Sequence, residues 1–163
     1  LMEGPIHRIL LYMDGSEGSI TAAQYAICLS RHYRAELTAL YVVNTRALGD
    51  LLKARIFVKA EQEEYLRDLE EDSQRYLNHV RSLARKKGLV VQTASASGTV
   101  HQEIKNCVLA NKIDLLVMGE LSSVRSRRDE LYDEADRALR AVPCSVLVVK
   151  DEERVAALYD ALV

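Results

Sequence analysis

The sequence predicts a single domain with a three-layer α/β sandwich fold, in which helices cover both faces of a parallel β-sheet. Short and nearly continuous apolar runs alternate along the chain with longer segments whose apolar residues recur at helical spacing. Strands buried on both faces have such runs, and consecutive parallel strands need a helix to return the chain to the same end of the sheet. A length of 163 residues is sufficient for one hydrophobic core without disulfides or a structural metal.

The first apolar run, residues 6–13 (IHRILLYM), predicts the first strand, which ends at the turn sequence Asp14-Gly15-Ser16. Apolar residues then recur at helical spacing, which predicts that a helix follows the strand. Either Ser16 or Ser19 can cap the exposed amides at the start of this helix.

A second strand and a long helix follow. Residues 37–43 (LTALYVV) repeat the pattern of a buried strand. From residue 61 to residue 87 the apolar side chains form one stripe among charged residues, and Gly88 ends the pattern. We expect this helix to lie across one face of the sheet.

The third and fourth strands are predicted at residues 89–96 and 114–118. Between them, Thr99 and Gln102 have the spacing of a capping box, in which each side chain satisfies a backbone amide at the start of a helix. The capping box predicts that a helix begins near residue 100.

The last part of the chain begins with a polar, arginine-rich stretch at residues 120–129. A helix is predicted from about residue 131 to 141, followed by a fifth strand at 145–149 (SVLVV). The tail, residues 151–163, is predicted to be helical, with one apolar face that packs on its own domain or on a partner. The side chains of this face are Val155, Leu158 and Leu162.

Composition excludes several classes of function. The net charge is -2 and the basic residues are dispersed among acidic ones, so no nucleic-acid partner is expected. No apolar run approaches the roughly 20 residues that span a bilayer, and no signal peptide is recognisable. Cys28, Cys107 and Cys144 are widely spaced and odd in number, unlike a disulfide framework or a zinc motif. We therefore expect a cytoplasmic protein without a membrane association.

No catalytic motif is recognisable. The chain has no nucleophile elbow, phosphate-binding Walker loop or metalloprotease helix. Its four histidines have no mutual spacing typical of a metal site. We therefore expect neither an enzyme nor a metal centre.

In a sheet of this type, ligands bind beyond the carboxyl ends of the strands at the topological switch point. This rule places Asp14, the region of Val43, and Gly119 around one crevice. Asp14 also has a second interpretation, because Asp-Gly-Ser is a common turn sequence in which the carboxylate accepts backbone amides before a helix.

Four segments together resemble the universal stress protein family: residues 9–19 (ILLYMDGSEGS), 37–44 (LTALYVVN), 114–119 (DLLVMG) and 141–150 (AVPCSVLVVK). The resemblance covers residues 6–150 as one domain, followed by the helical tail at 151–163.

The resemblance implies an adenine nucleotide alpha hydrolase-like (Rossmann-like) sheet with strand order 3-2-1-4-5. It also implies a homodimer made by pairing the last strands of two subunits, here residues 145–149. An uncovered apolar edge favours aggregation, which gives this pairing an independent physical reason.

The resemblance further implies that Asp14 and the backbone at Val43 occupy the positions that hold adenine, with Gly119 beside them. Nucleotide-binding members hold the triphosphate with a loop of the form Gly-x-x-Gly, nine residues, then Gly-Ser or Gly-Thr. The glycines of that loop allow backbone amides to close on the phosphates.

In this sequence the loop keeps its spacing but loses its chemistry. Gly119 is present, but Ser122 stands at the second glycine, and Tyr132-Asp133 stand where Gly-Ser is expected. A tyrosine side chain fills space that glycine leaves open, and an aspartate repels phosphate. The chain therefore resembles the branch of the family that lacks the ATP-binding loop, and we expect a non-catalytic dimer that acts through an unknown protein partner.

An alternative interpretation remains. Arg125, Arg127 and Arg128 lie in the same loop and can offer guanidinium groups to phosphate in place of backbone amides. Under this alternative the protein is a regulatory switch that binds ATP or AMP and hydrolyses ATP slowly at most.

Overall fold

The computed structural model describes residues 4–45, 49, 60–120 and 134–163 in full, and residues 59 and 129–133 through their backbone. Among these residues five strands form one parallel sheet of order β3-β2-β1-β4-β5, so the predicted fold class and strand order are confirmed. The strands are β1 (Arg8–Met13), β2 (Glu36–Asn44), β3 (Gln92–Gly98), β4 (Leu115–Gly119) and β5 (Ser145–Val149). The described helices are α1 (Glu17–Tyr33), α2 (Lys59–Arg85), α3 (Val100–Ala110), α4 (Asp129–Ala141) and α5 (Glu152–Ala161).

The sheet separates two hydrophobic clusters. One face packs against α1, α2 and α5, and the other face packs against α3 and α4. The central strand β1 contributes to both clusters, since alternate residues point to opposite faces and every residue from Ile9 to Met13 is buried. This double burial explains the continuous apolar run in the sequence. No helix in the described part of the chain is both long enough and apolar enough to cross a membrane.

The start of the third strand differs from the prediction. The third strand begins at Gln92 rather than at residue 89, because the chain there still completes the end of α2. The Leu89 amide donates to the Ala84 carbonyl at 3.0 Å, and Val90 is 88% exposed. The start of α1 is as predicted, with the Ser16 hydroxyl accepting from the Ser19 amide at 3.2 Å.

The capping box at Thr99 and Gln102 is wrong. Thr99 precedes α3 but makes no side-chain cap hydrogen bond, and only its backbone carbonyl accepts, from the amides of Gln102 and Glu103. The Glu134 carboxylate instead accepts from the backbone amide of His101 at 2.9 Å. The Glu134 carboxylate, 33 positions away in the chain, therefore caps the start of α3 in place of the Thr99 side chain.

The C-terminal tail forms α5 and packs on its own domain. Val155 and Tyr159 are buried in the same cluster as α1 and α2, whereas Leu158 is 41% exposed, so its predicted place on the buried face is wrong. The Tyr159 hydroxyl donates to the Leu83 carbonyl at 2.6 Å, and the Lys87 ammonium lies 4.7 Å from the centre of the Tyr159 ring. These contacts join the tail to the end of α2.

Candidate functional site

Three of the predicted site residues lie at the end of the sheet formed by the carboxyl ends of its strands. Because β1, β2 and β4 are parallel neighbours, Asp14, Val43 and Gly119 all follow or occupy the carboxyl ends of adjacent strands. Val43 is buried at 2% exposure and pairs in register with Ser97 of β3. The roles of these residues as adenine contacts stay predictions.

Asp14 organises the turn that starts α1. Its Oδ1 atom accepts from the Ser16 amide at 2.8 Å and from the Ser16 hydroxyl at 2.5 Å. The same Ser16 hydroxyl accepts from the Ser19 amide, so a chain of hydrogen bonds runs from the end of β1 into the first turn of the helix. This geometry corresponds to the turn interpretation of Asp14, which leaves its other carboxylate oxygen outside this chain of bonds.

An aromatic pair that the sequence interpretation missed lies beside Asp14. The rings of Tyr41 and Tyr76 stack with centroids 5.7 Å apart and an interplanar angle of 18°. The Tyr76 ring also covers Gly15, where a Cβ atom would lie 2.7 Å from Tyr76 Cε2. Tyr76 was recognisable only as part of the apolar stripe of α2, and nothing in that stripe indicates which end of the sheet its ring reaches.

The tyrosine hydroxyls at this edge are held neutral. Burial, followed by the nearby Tyr76, Asp72 and Asp14 groups, raises the pKa of Tyr41 to about 12. On the other face of the sheet, burial and the Asp14, Tyr41 and Glu134 groups raise the pKa of Tyr12 above its ordinary value. These hydroxyls therefore offer hydrogen bonds rather than charge at physiological pH.

Gly119 is required by packing at the end of β4. A Cβ atom on Gly119 would lie 2.3 Å from the carbonyl carbon of Gly18 and 2.8 Å from the Ser19 nitrogen. The backbone of β4 and the first turn of α1 are therefore in direct contact. This contact explains the glycine without any ligand.

The helix α4 includes the positions where the family loop has Gly-Ser. It begins at Asp129, so residues 132 and 133 lie within it. With this start, the amide of residue 133 is the first whose carbonyl partner four positions earlier, that of Asp129, lies within the helix. The amide of residue 133 is consequently not free to close on a phosphate.

Glu134, also on α4, has its carboxylate in the protein interior, and the residue is 7% exposed. Its Oε2 atom lies 2.6 Å from His101 Nδ1, and its Oε1 atom accepts from Arg137 Nη1 at 3.2 Å. Burial acts to raise the pKa of Glu134, but the His101 amide and ring and the Arg137 charge outweigh it and lower that pKa. Glu134 is therefore an ionised carboxylate at neutral pH.

No three metal-ligating side chains converge anywhere in the described ranges of the chain. Of the predicted phosphate contacts, Ser122, Arg125, Arg127 and Arg128 lie outside the described residues. Tyr132 and Asp133 are described through their backbone, which is helical as stated above.

Residues 5–150 match the sequence model of the universal stress protein family. The chain belongs to this family. A universal stress protein of Methanocaldococcus jannaschii is 30% identical over 147 residues, which cover 90% of this chain and 84% of that relative.

Solved structures of universal stress proteins share the fold. One in complex with cAMP gives a TM-score of 0.67 at 17% identity, over 90% of this chain and 99% of that chain. A family member from Arabidopsis thaliana with AMP bound gives a TM-score of 0.64 at 13% identity, over 91% and 94% of the two chains. This universal stress protein therefore has the Rossmann-like α/β architecture of its relatives.

The contact at Gly119 generates a test of its packing role. Gly119→Ala should lower the free energy of unfolding by about 3 kcal/mol, since a backbone that cannot move aside stands where the methyl group would be. Glu120→Ala is the control, because Glu120 is exposed and its ion pair with Lys150 is long at 3.8 Å, so its effect should stay within about 0.5 kcal/mol. Urea unfolding measures both, and a fully stable Gly119→Ala protein would contradict the close contact.

Proposed function

We propose that this universal stress protein is a non-catalytic, dimeric stress-response protein that acts through protein partners and does not bind ATP by the glycine loop. The observation that carries the proposal is the helical backbone at residues 132 and 133. A phosphate loop needs free amides at these positions, and α4 uses the amide of residue 133 in its own hydrogen bonds.

The side-chain chemistry supports the same conclusion. Tyr132 and Asp133 replace the small residues that the loop of nucleotide-binding members has at these positions. Asp133 brings a carboxylate to the position in the sequence where a triphosphate would bring several negative charges. The charge pattern opposes ATP in addition to the backbone.

A second candidate function is a switch that binds an adenine nucleotide with a single phosphate group. It is favoured by the two structural neighbours described with cAMP and with AMP. Asp14 and Val43 remain at the strand ends where such a base would bind, and Arg125, Arg127 and Arg128 supply cations in the loop. One phosphate meets less repulsion from Asp133 than three do.

The proposal includes a cytoplasmic location. It rests on Cys28, Cys107 and Cys144, which are free thiols in the structure. Burial raises the pKa of each thiol, so the reactive thiolate form is disfavoured at neutral pH. Unpaired, weakly reactive cysteines are typical of proteins in a reducing compartment.

Titration calorimetry with ATP and magnesium tests the leading proposal. We expect no binding to the wild-type chain at micromolar protein and nucleotide. The double variant Tyr132→Gly with Asp133→Ser should gain affinity for ATP, because glycine weakens the helix by about 1 kcal/mol and the serine removes a charge.

Matched titrations with AMP and cAMP separate the two candidate functions. Micromolar binding of ATP by the wild-type chain would contradict the leading proposal. Binding of AMP or cAMP without ATP would favour the single-phosphate switch, and Asp14→Asn should then weaken that binding if Asp14 contacts the nucleoside.

The proposed dimer uses the edge of β5. This strand ends the sheet on one side, and its residues Val146, Leu147 and Val148 are only partly buried in the single chain. An unpaired apolar edge offers backbone donors and acceptors to a second copy. Pairing of the β5 strands of two subunits would cover the exposed β5 edge of each subunit.

Analytical ultracentrifugation tests the dimer. The molecular mass measured for the wild-type protein should be twice the 18.3 kDa of one subunit. Val146→Lys should shift it to the monomer, because a lysine at the edge opposes strand pairing. Leu109→Lys, at a residue 56% exposed on α3, is the control and should remain dimeric. A monomeric wild-type chain would contradict the proposal.

A further inference from the structure

Glu134 carries a buried charge, and its hydrogen-bond partners come from the start of α3 and from the next turn of α4. Its carboxylate is bonded by the His101 backbone amide, the His101 ring and the Arg137 guanidinium. A carboxylate buried to 7% exposure is rare without such compensation. These donors together stabilise one negative charge. In this protein that charge is the carboxylate of Glu134.

The place that Glu134 occupies is the start of α3. Thr99 is extended at φ -82° and ψ 123° and offers no side-chain oxygen to the first turn. The first amides of a helix lack internal partners and carry partial positive charge, so they attract an anion. At the start of α3, the His101 ring nitrogen offers a further hydrogen bond to an anion. The guanidinium of Arg137, on α4, offers another.

Among the described residues, Tyr12 of β1 also interacts electrostatically with Glu134. Tyr12 is buried at 6% exposure and is neutral, since burial and the surrounding negative groups raise its pKa. The site therefore has one carboxylate among an amide, an imidazole and a guanidinium. The same donors bind phosphate groups in proteins, because they form charge-assisted hydrogen bonds with anionic oxygens.

We propose that the Glu134 carboxylate is an internal anion that fills the anion-binding position at the start of α3, and so holds α4 against α3. A phosphate group of a free ligand can take this position only when the carboxylate is absent. This inference rests on the proposed function, because α4 is the helix that contains the positions of the lost glycine loop. The position of Glu134 is distinct from those of Tyr132 and Asp133, and its carboxylate denies the start of α3 to a free phosphate group.

Removal of the carboxylate tests the proposal. Glu134→Ala leaves the donors in place, and Glu134→Gln keeps the volume and an acceptor if the alanine variant fails to fold. Asp136→Asn is the matched control, since Asp136 has a half-exposed carboxylate on the same helix that pairs with Arg140 at 3.2 Å. Thermal unfolding is measured without additive, with inorganic phosphate, and with AMP.

We expect inorganic phosphate and AMP to raise the Tm of Glu134→Ala by about 2–4 °C, to raise that of Glu134→Gln by less because the glutamine side chain still fills the position, and to leave wild type and Asp136→Asn unchanged. In the absence of phosphate, the His101 amide should exchange its hydrogen at least tenfold faster in Glu134→Ala than in wild type. The exchange measurement reports the loss of the cap independently of any ligand.

Three results would overturn the inference. They are an equal phosphate response in wild type and both Glu134 variants, unchanged exchange at His101, and a response to AMP without one to inorganic phosphate. The proposed function fails by a different result, namely ATP binding to the wild-type chain. Glu134 variants that gain nothing therefore leave the proposed function standing.

Discussion

The backbone contact between Gly119 and Gly18 sets the geometry of the carboxyl edge of the sheet. Because a Cβ atom at Gly119 would lie 2.3 Å from Gly18, the end of β4 and the start of α1 are held at a fixed distance. The turn at Asp14 lies directly before α1, and the Asp14 carboxylate bonds Ser16 at its start. The part of the sheet that carries the predicted adenine contacts is thus built on contacts that stabilise the fold.

Side chains of the protein itself fill positions on both faces of the sheet. On one face Tyr76 covers Gly15 and stacks on Tyr41. On the other face Glu134 takes the start of α3 with the help of His101. Both places are therefore occupied by side chains of the protein itself.

The sequence predicts the order of strands and helices because each buried run and each apolar stripe is a local pattern. It also identifies the unusual loop, since Tyr132 and Asp133 can be compared with the family spacing directly. It predicts a capping box at Thr99 that does not form, because the cap comes from Glu134 on another helix. The Tyr41–Tyr76 pair is invisible for the same reason, since the two residues meet only when α2 packs on β2.

The most direct test of the central claim is amide hydrogen exchange at residues 132 and 133, with and without ATP and magnesium. If α4 begins at Asp129, the amide of residue 133 is held in a helical hydrogen bond and should be protected from exchange, with no change on addition of ATP. Rapid exchange at residue 133 that becomes slow when ATP is added would contradict the account, because this amide would then be free to bind phosphate.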